Sequence, residues 1–288
     1  MAPDHEVRRC GRAMGTSYLL VVHDRDERLL DDAERAIADL ERRWSRFLAD
    51  SEISVINRTP GVPVLVSPDT FQVIRAAVDG AIATQGRFDP TVHDSMVSLG
   101  YDRTFAQIPA AANPSDAAVA APGVDGIEFD DALHAVTLPP GVRLDLGGIG
   151  KGSAADLVSD DAIRRGAAGI AVSIGGDVRV RGEGPSGRGW SFTDDRGALD
   201  LPEVTDGGVC TSTTRRRRWA TRSGEVHHIL DPATGRPTTN AVESITVMGA
   251  TAQQAEVLTK AAMVAGDDAE AFLAPFGVQS IIRRRAAA

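Results

Sequence analysis

The stretch 144-LDLGGIGKGSAADL-157 decides between the fold classes open to this chain. It passes from an apolar strand ending, through a glycine pair and a lone lysine, into a helix. The spacing matches neither G-x-G-x-x-G nor G-x-x-x-x-G-K-[ST], so the residues give no support to a Rossmann or P-loop fold. A glycine turn feeding a helix still presents unpaired backbone N–H groups and a partial positive charge, a ready site for phosphate. Asp145 stands just before the turn and Lys151 just after it. Either the acid bonds a hydroxyl or ring N–H while the lysine faces a pyrophosphate, or the two are merely paired across a tight turn. The residues alone leave both readings open.

Outward from this stretch, strands and helices alternate irregularly, which points to an α+β fold rather than a doubly wound sheet. Strand-like alternation runs from Tyr18 to Val22. Residues 31–47 read as a helix, with Ala33, Ile37, Leu40, Trp44 and Phe47 as its apolar stripe. Ser67 and Pro68 open another, carrying Phe71, Ile74, Ala77, Val78 and Ala81 and closed by Gly86. Residues 107–126 read as a surface insertion or linker, and 133–138 and 142–146 as short strands. A helix is expected after Gly152. Residues 170–181 read as one strand, with Gly175 and Gly176 as a bulge or a point of close approach. Two strands are expected at 208–221 and 225–231, around Ser223-Gly224, and a last helix from Thr251 to Gly266.

The chain has 288 residues, enough for one large domain or two small ones, and a formal charge of -9. That charge argues against a generic nucleic-acid binder. Cys10 and Cys210 make no disulfide framework and no zinc spacing. With no apolar signal-like segment near Met1 and no apolar run of about 18 residues, a cytoplasmic protein with no membrane span is expected.

Four further segments carry candidate chemistry. Asp89, before Pro90 in 86-GRFDPTVHDSMVSLGYDR-103, often marks only a turn. His227 and His228 are strand neighbours on opposite faces, so at most one faces a given pocket, and a metal pair is disfavoured. Glu256 and Lys260 lie at i, i+4; on spacing alone they form an exposed ion pair worth a few tenths of a kcal/mol. The run 215-RRRR-218 falls on a predicted strand and reads as a solvated edge, with an acidic or phosphate partner as the minority reading.

Taken in order, 14-MGT-16, 51-SEISVINR-58, 88-FDPTV-92, 144-LDLGGIGKG-152, 173-SIGGDVRV-180, 210-CTS-212, 228-HILDPATGRP-237 and the helix at 255–266 resemble the ApbE-like FAD:protein FMN transferases. The resemblance implies a single two-lobed, T-fold-like α+β flavin transferase domain over 1–288. It implies FAD bound in a cleft and a divalent ion, usually Mg2+, on the pyrophosphate. FMN would pass from FAD to a threonine or serine hydroxyl of an acceptor protein, leaving AMP. Family contacts map onto Met14, Phe47, Arg87, Phe88, Asp89, Asp145, Lys151 and Ile229. The metal maps onto the Gly148 carbonyl and two side chains of the last helix. Asp145 and His228 are the candidates for the base that takes the acceptor's proton.

One departure stands out. The family usually has Asp and, four residues on, Thr as metal ligands; here these are Glu256 and Lys260. An ammonium has no lone pair and repels a divalent ion. Thr259 is adjacent but turned about 100° around the helix, an imperfect substitute as the second metal ligand. Either the metal binds through Glu256 and carbonyls, or Lys260 replaces its charge at the pyrophosphate, or the protein binds flavin without transferring it. Lys151 and Lys260 are the only lysines in the chain, and both fall where the family places the diphosphate, which favours Lys260 facing the ligand. Thr213 also replaces an expected glycine. FAD binding alone and FAD pyrophosphatase activity are the alternatives to transfer.

Overall fold

Alternating apolar residues build one seven-stranded sheet in the computed structural model, which describes residues 6–23, 26–108, 118–184, 187–194, 196–221 and 224–285. The sheet strands are β1 (Glu6–Ala13), β2 (Thr16–His23), β3 (Gly169–Ile174), β4 (Asp177–Gly182), β5 (Asp206–Thr213), β8 (Val242–Gly249) and β9 (Gln279–Arg284). Between β5 and β8 in sequence lies a separate hairpin, β6 (Arg218–Thr221) and β7 (Gly224–His227). The sheet order is β1-β2-β3-β4-β5-β8-β9, and every neighbouring pair is antiparallel. The fold is therefore mixed α+β around a large antiparallel sheet.

The helices are α1 (Arg28–Trp44), α2 (Glu52–Arg58), α3 (Pro68–Ala83), α4 (His93–Ser98), α5 (Gly150–Arg164) and α6 (Ala252–Ala265). The two sheet faces are read directly from residue alternation. Leu20, Val22, Ile170, Val172, Ile174, Ile245 and Val247 point into the main core beneath α1, α5 and α6. Val21, Val180, Val209 and Met248 point the other way, under Trp190 and Phe192. A third cluster of Met96, Tyr101, Trp219 and Leu230 lies apart from both, with Phe47 and Phe105 packed on it.

Helix ends follow local chemistry. Ser67 caps α3, with Pro68 at its first turn. Thr251 caps α6, and Gly266 closes it with φ 63°. No helix among the described residues is long and apolar enough to cross a membrane.

Several expectations need correction. The strand at 142–146 does not form: the Asn57 side chain takes its place, its Nδ2 donating to the Leu144 carbonyl at 2.8 Å and its Oδ1 accepting the Leu144 N–H at 2.7 Å. Gly175 and Gly176 are a two-residue hairpin turn, not a bulge, because Ile174 pairs with Asp177 across them at φ 65° and 94°. The helix after the 144–152 turn begins at Gly150, three residues early, so Lys151 is a helical residue. Phe47 lies beyond α1, which stops at Trp44. The 208–221 segment is split between the main sheet and the β6–β7 hairpin, so only Arg218 of the arginine run is in a strand. The insertion at 107–126 and the turn residue Ser223 lie partly or wholly outside the described residues.

Candidate active site

One cleft lies where α5, α6, the β1–β2 turn and the aromatic cluster meet. It is lined by Met14, Phe47, Arg87, Phe88, Asp89, Asp145, Gly148, Lys151, His228, Ile229 and Lys260. Thus residues far apart in sequence share one wall. Met14 reaches it from the tip of the β1–β2 turn, where its φ is 51°. Gly148 is required for packing: a Cβ there would come within 2.9 Å of the Phe88 ring and 3.4 Å of Lys260 Cδ. Gly152 allows α5 and α6 to touch, since a Cβ would lie 2.5 Å from the Ala252 carbonyl oxygen.

The centre of the cleft floor is an ion cluster. Lys151 Nζ lies 2.9 Å from Asp177 Oδ2 and also bonds Glu256 Oε1. Lys260 Nζ lies 3.1 Å from that same Glu256 oxygen. The other oxygen, Glu256 Oε2, accepts the Gly152 N–H at 2.7 Å. Glu256 has no exposed surface. Burial opposes its ionisation, but the two ammonium groups outweigh burial and hold its pKa below the ordinary carboxylate range. Burial also works against the Lys151 ammonium; Asp177 and Glu256 overcome it and raise its pKa. Asp177 is pushed up, by burial first, with Lys151 opposing and the Glu256 charge adding to the rise. Glu256 is therefore the firmly ionised acid of the cluster.

This arrangement revises two readings of the sequence. Glu256 and Lys260 are not an exposed surface pair. Nor is the mouth of α5 fully open to a ligand, because Glu256 itself takes the Gly152 N–H there, where the helix dipole favours negative charge. Asp145 and Lys151 are not paired with each other either. Asp145 Oδ2 lies 2.8 Å from Arg46 Nε, and its Oδ1 accepts the Gly147 N–H at 2.7 Å. Arg46 in turn donates to the Tyr101 carbonyl and lies over the Phe47 ring at 4.3 Å and the Tyr101 ring at 5.0 Å.

Asp89 does mainly turn work: its Oδ1 accepts the Thr91 N–H at 2.7 Å and the Thr91 hydroxyl at 2.6 Å. Burial raises its pKa, and the Thr91 bonds pull against that rise. His227 and His228 do part company. His227 is structural, with Nε2 donating to the Thr238 carbonyl at 3.1 Å and Nδ1 accepting the Ile229 N–H. His228 faces the cleft and its Nδ1 is buried without a hydrogen-bond partner. Burial, then Arg217, Lys260 and Lys151, holds His228 well below the usual histidine pKa, so it is neutral.

Arg46, Tyr101, Asp177 and Arg217 also belong to the site, and sequence reasoning singled out none of them individually. Arg217 sits in the turn before β6 at φ 50°, lines the cleft, and has no ion-pair partner among the described residues. Only the arginine run hinted at it.

The sequence profile of the ApbE family matches residues 14–282. The chain belongs to the ApbE family. Two relatives named FAD:protein FMN transferase come from Vibrio cholerae and Haemophilus influenzae. The first is 26% identical over 92% of this chain and 83% of its own length; the second is 27% identical over 90% and 80%. Among solved structures, the ApbE protein of Thermotoga maritima superposes with a TM-score of 0.86 at 29% identity, covering 99% of this chain and 96% of that one. The flavinyl transferase ApbE of Pseudomonas stutzeri gives 0.81 at 22% identity over 98% and 92%, a likeness of fold.

The metal expected at the Gly148 carbonyl, Glu256 and, as a substitute ligand, Thr259 does not fit the side chains found here. Thr259 is fully buried; its hydroxyl donates to the Glu256 carbonyl at 2.8 Å and accepts from Ser212 at 2.9 Å. Both Glu256 oxygens are engaged, one of them by two ammonium groups. Like unit charges about 4 Å apart repel by about 4 kcal/mol at an effective dielectric near 20, and a divalent ion doubles that against each lysine. Among the described residues, no group of three His, Cys, Asp or Glu side chains could hold a metal ion.

Proposed function

We propose that this chain is an FAD:protein FMN transferase acting as a single domain, with the cytoplasm as its expected compartment. It binds FAD in the cleft and passes the FMN half to a threonine or serine hydroxyl of an acceptor protein. The observation that carries this reading is the convergence on one cleft of Met14, Phe47, Phe88, Asp145, Lys151, His228 and Ile229, all of which the family resemblance assigns to the flavin site or its chemistry. In the reaction the acceptor oxygen bonds to the FMN-side phosphorus and the bridging P–O bond to AMP breaks. AMP leaves with the bridging oxygen, and the hydroxyl proton goes to a base.

The chain's own groups divide this work. Attack on a diphosphate is slowed by its negative charge, so positioning and charge neutralisation carry most of the catalysis. Lys151, Lys260 and Arg217 supply the positive charge. The Phe47 and Tyr101 rings, locked by Arg46, offer flat apolar surface to a ring system. His228 is favoured over Asp145 as the base, because it lines the cleft with a neutral imidazole, whereas both Asp145 oxygens are engaged.

The test is incubation of the purified protein with FAD and candidate acceptor proteins. A fluorescent acceptor band that survives a denaturing gel, with one AMP released per flavin transferred, is expected. AMP release without a labelled acceptor assigns hydrolysis instead. Bound FAD with neither product assigns a binding protein.

A further inference from the structure

We infer that in this protein the Lys260 ammonium occupies the place of a divalent cation, so that FAD binds here without metal. The inference rests on the proposed FAD site and deepens it. Three observations meet at one point. Lys260 Nζ is 3.1 Å from a carboxylate oxygen that Lys151 also bonds, so positive charge already stands where a cation would seek that oxygen. The hydroxyl beside it that could ligate, on Thr259, is turned into the core and bonded to Ser212. The Lys260 stem passes over Gly148, where only a glycine leaves room for it and for Phe88.

The charge count agrees. Around Glu256 three cations, Lys151, Lys260 and Arg217, meet two carboxylates, Asp177 and Glu256, so positive charge is in local excess at that end of the cleft. Arg217, free of any ion pair among the described residues, adds a planar donor for phosphate oxygens. The Gly152 N–H at the helix mouth is used by Glu256. A diphosphate entering the cleft therefore meets side-chain cations, and Lys260 is the one that stands in for an ion.

Flavin fluorescence titration of the purified full chain with FAD tests this. In excess chelator and in millimolar Mg2+, the dissociation constant is expected to agree within about twofold. Binding that weakens tenfold or more on chelation overturns the inference while leaving the FAD site intact. No binding of FAD in either condition overturns the proposed function itself. Lys260→Thr is expected to lose at least tenfold in affinity in chelator and to recover part of it with Mg2+. Lys260→Met is expected to lose affinity without any metal rescue. A Lys260→Thr protein that binds FAD in chelator as tightly as the parent also overturns the inference. If either variant fails to fold, as read by circular dichroism, the chelator comparison on the parent chain decides alone.

Discussion

At Glu256 a carboxylate with no exposed surface lies between two ammonium groups and accepts a backbone N–H. Its burial is tolerable only because each of these partners is present. Removing one member of a buried ion cluster leaves an uncompensated charge, which typically costs about 3–5 kcal/mol. Glu256→Ala is therefore expected to lower unfolding free energy by about that much in a denaturant titration, with Asp177 still holding Lys151 and limiting the loss. A loss below about 1 kcal/mol would show that the carboxylate does not hold the lysines in place. Arg217 is the opposite case. It has no ion pair to break, so Arg217→Ala is expected to leave the unfolding midpoint unchanged within about 0.5 kcal/mol. FAD affinity is expected to fall by a factor of about ten to a hundred, the range for a hydrogen bond to a charged group. Unchanged affinity would remove Arg217 from the site. Neither residue's role was legible from its neighbours in sequence. Spacing made Glu256 and Lys260 a surface pair, because the helix period cannot report that α5 packs over that face. Arg217 was hidden in a run of four like residues, only one of which entered the strand expected for all.

Among the elements, α6 carries half of the ion cluster, and its N-terminus is fixed by a side chain from α5. Asp156 Oδ1 accepts the Ala252 N–H at 2.9 Å, its Oδ2 accepts the Gln253 N–H at 2.8 Å, and Arg179 Nε lies 3.0 Å from it. Burial raises the Asp156 pKa to about 6, against the pull of those N–H groups and of Arg179. A raised pKa in the folded state means that the native chain keeps a proton which the unfolded chain has already released near pH 4. The stability it contributes is therefore complete below the unfolded value and is lost as pH rises through about 6. The difference in unfolding free energy between the parent and Asp156→Asn is expected to change by up to about 3 kcal/mol between pH 4 and 7, with the parent losing ground as pH rises. A pH-independent difference would mean that Asp156 titrates normally. Much at this scale was legible. The α1 stripe, the Ser67-Pro68 start of α3 and the Thr251 and Gly266 ends of α6 all follow from local rules that act within one turn. What failed was pairing: whether Gly175-Gly176 is a bulge or a turn depends on Ile174 finding Asp177, and whether 142–146 is a strand depends on Asn57 being absent.

For the molecule as a whole, the motif order indicated a two-lobed α+β chain with one flavin cleft. The sheet order and the aromatic cluster, which depend on long-range packing, were not readable. Trp219 on β6 packs against Tyr101 at a ring separation of 5.6 Å and against Phe105 at 6.4 Å, and its Nε1 donates to the Leu99 carbonyl at 2.9 Å. Tyr101 and Phe105 line the cleft, and Tyr101 supports Arg46, which holds Asp145. The aromatic cluster is much smaller than the core under the sheet, so it is expected to open locally on its own. Trp219→Ala removes a large buried ring and a satisfied N–H, a change that costs about 3–5 kcal/mol where it is felt. The cost is expected to fall on residues 99–108, 218–221 and 224–227 and not on the sheet. In native-state hydrogen exchange their amides should lose protection by two orders of magnitude or more, while β3, β4 and β8 keep theirs within about tenfold. FAD affinity should fall with them, because the wall carrying Tyr101 and Arg46 is no longer fixed. Equal loss of protection in the aromatic cluster and the sheet would show that the two open as one body, and the cleft would then have no independently yielding wall.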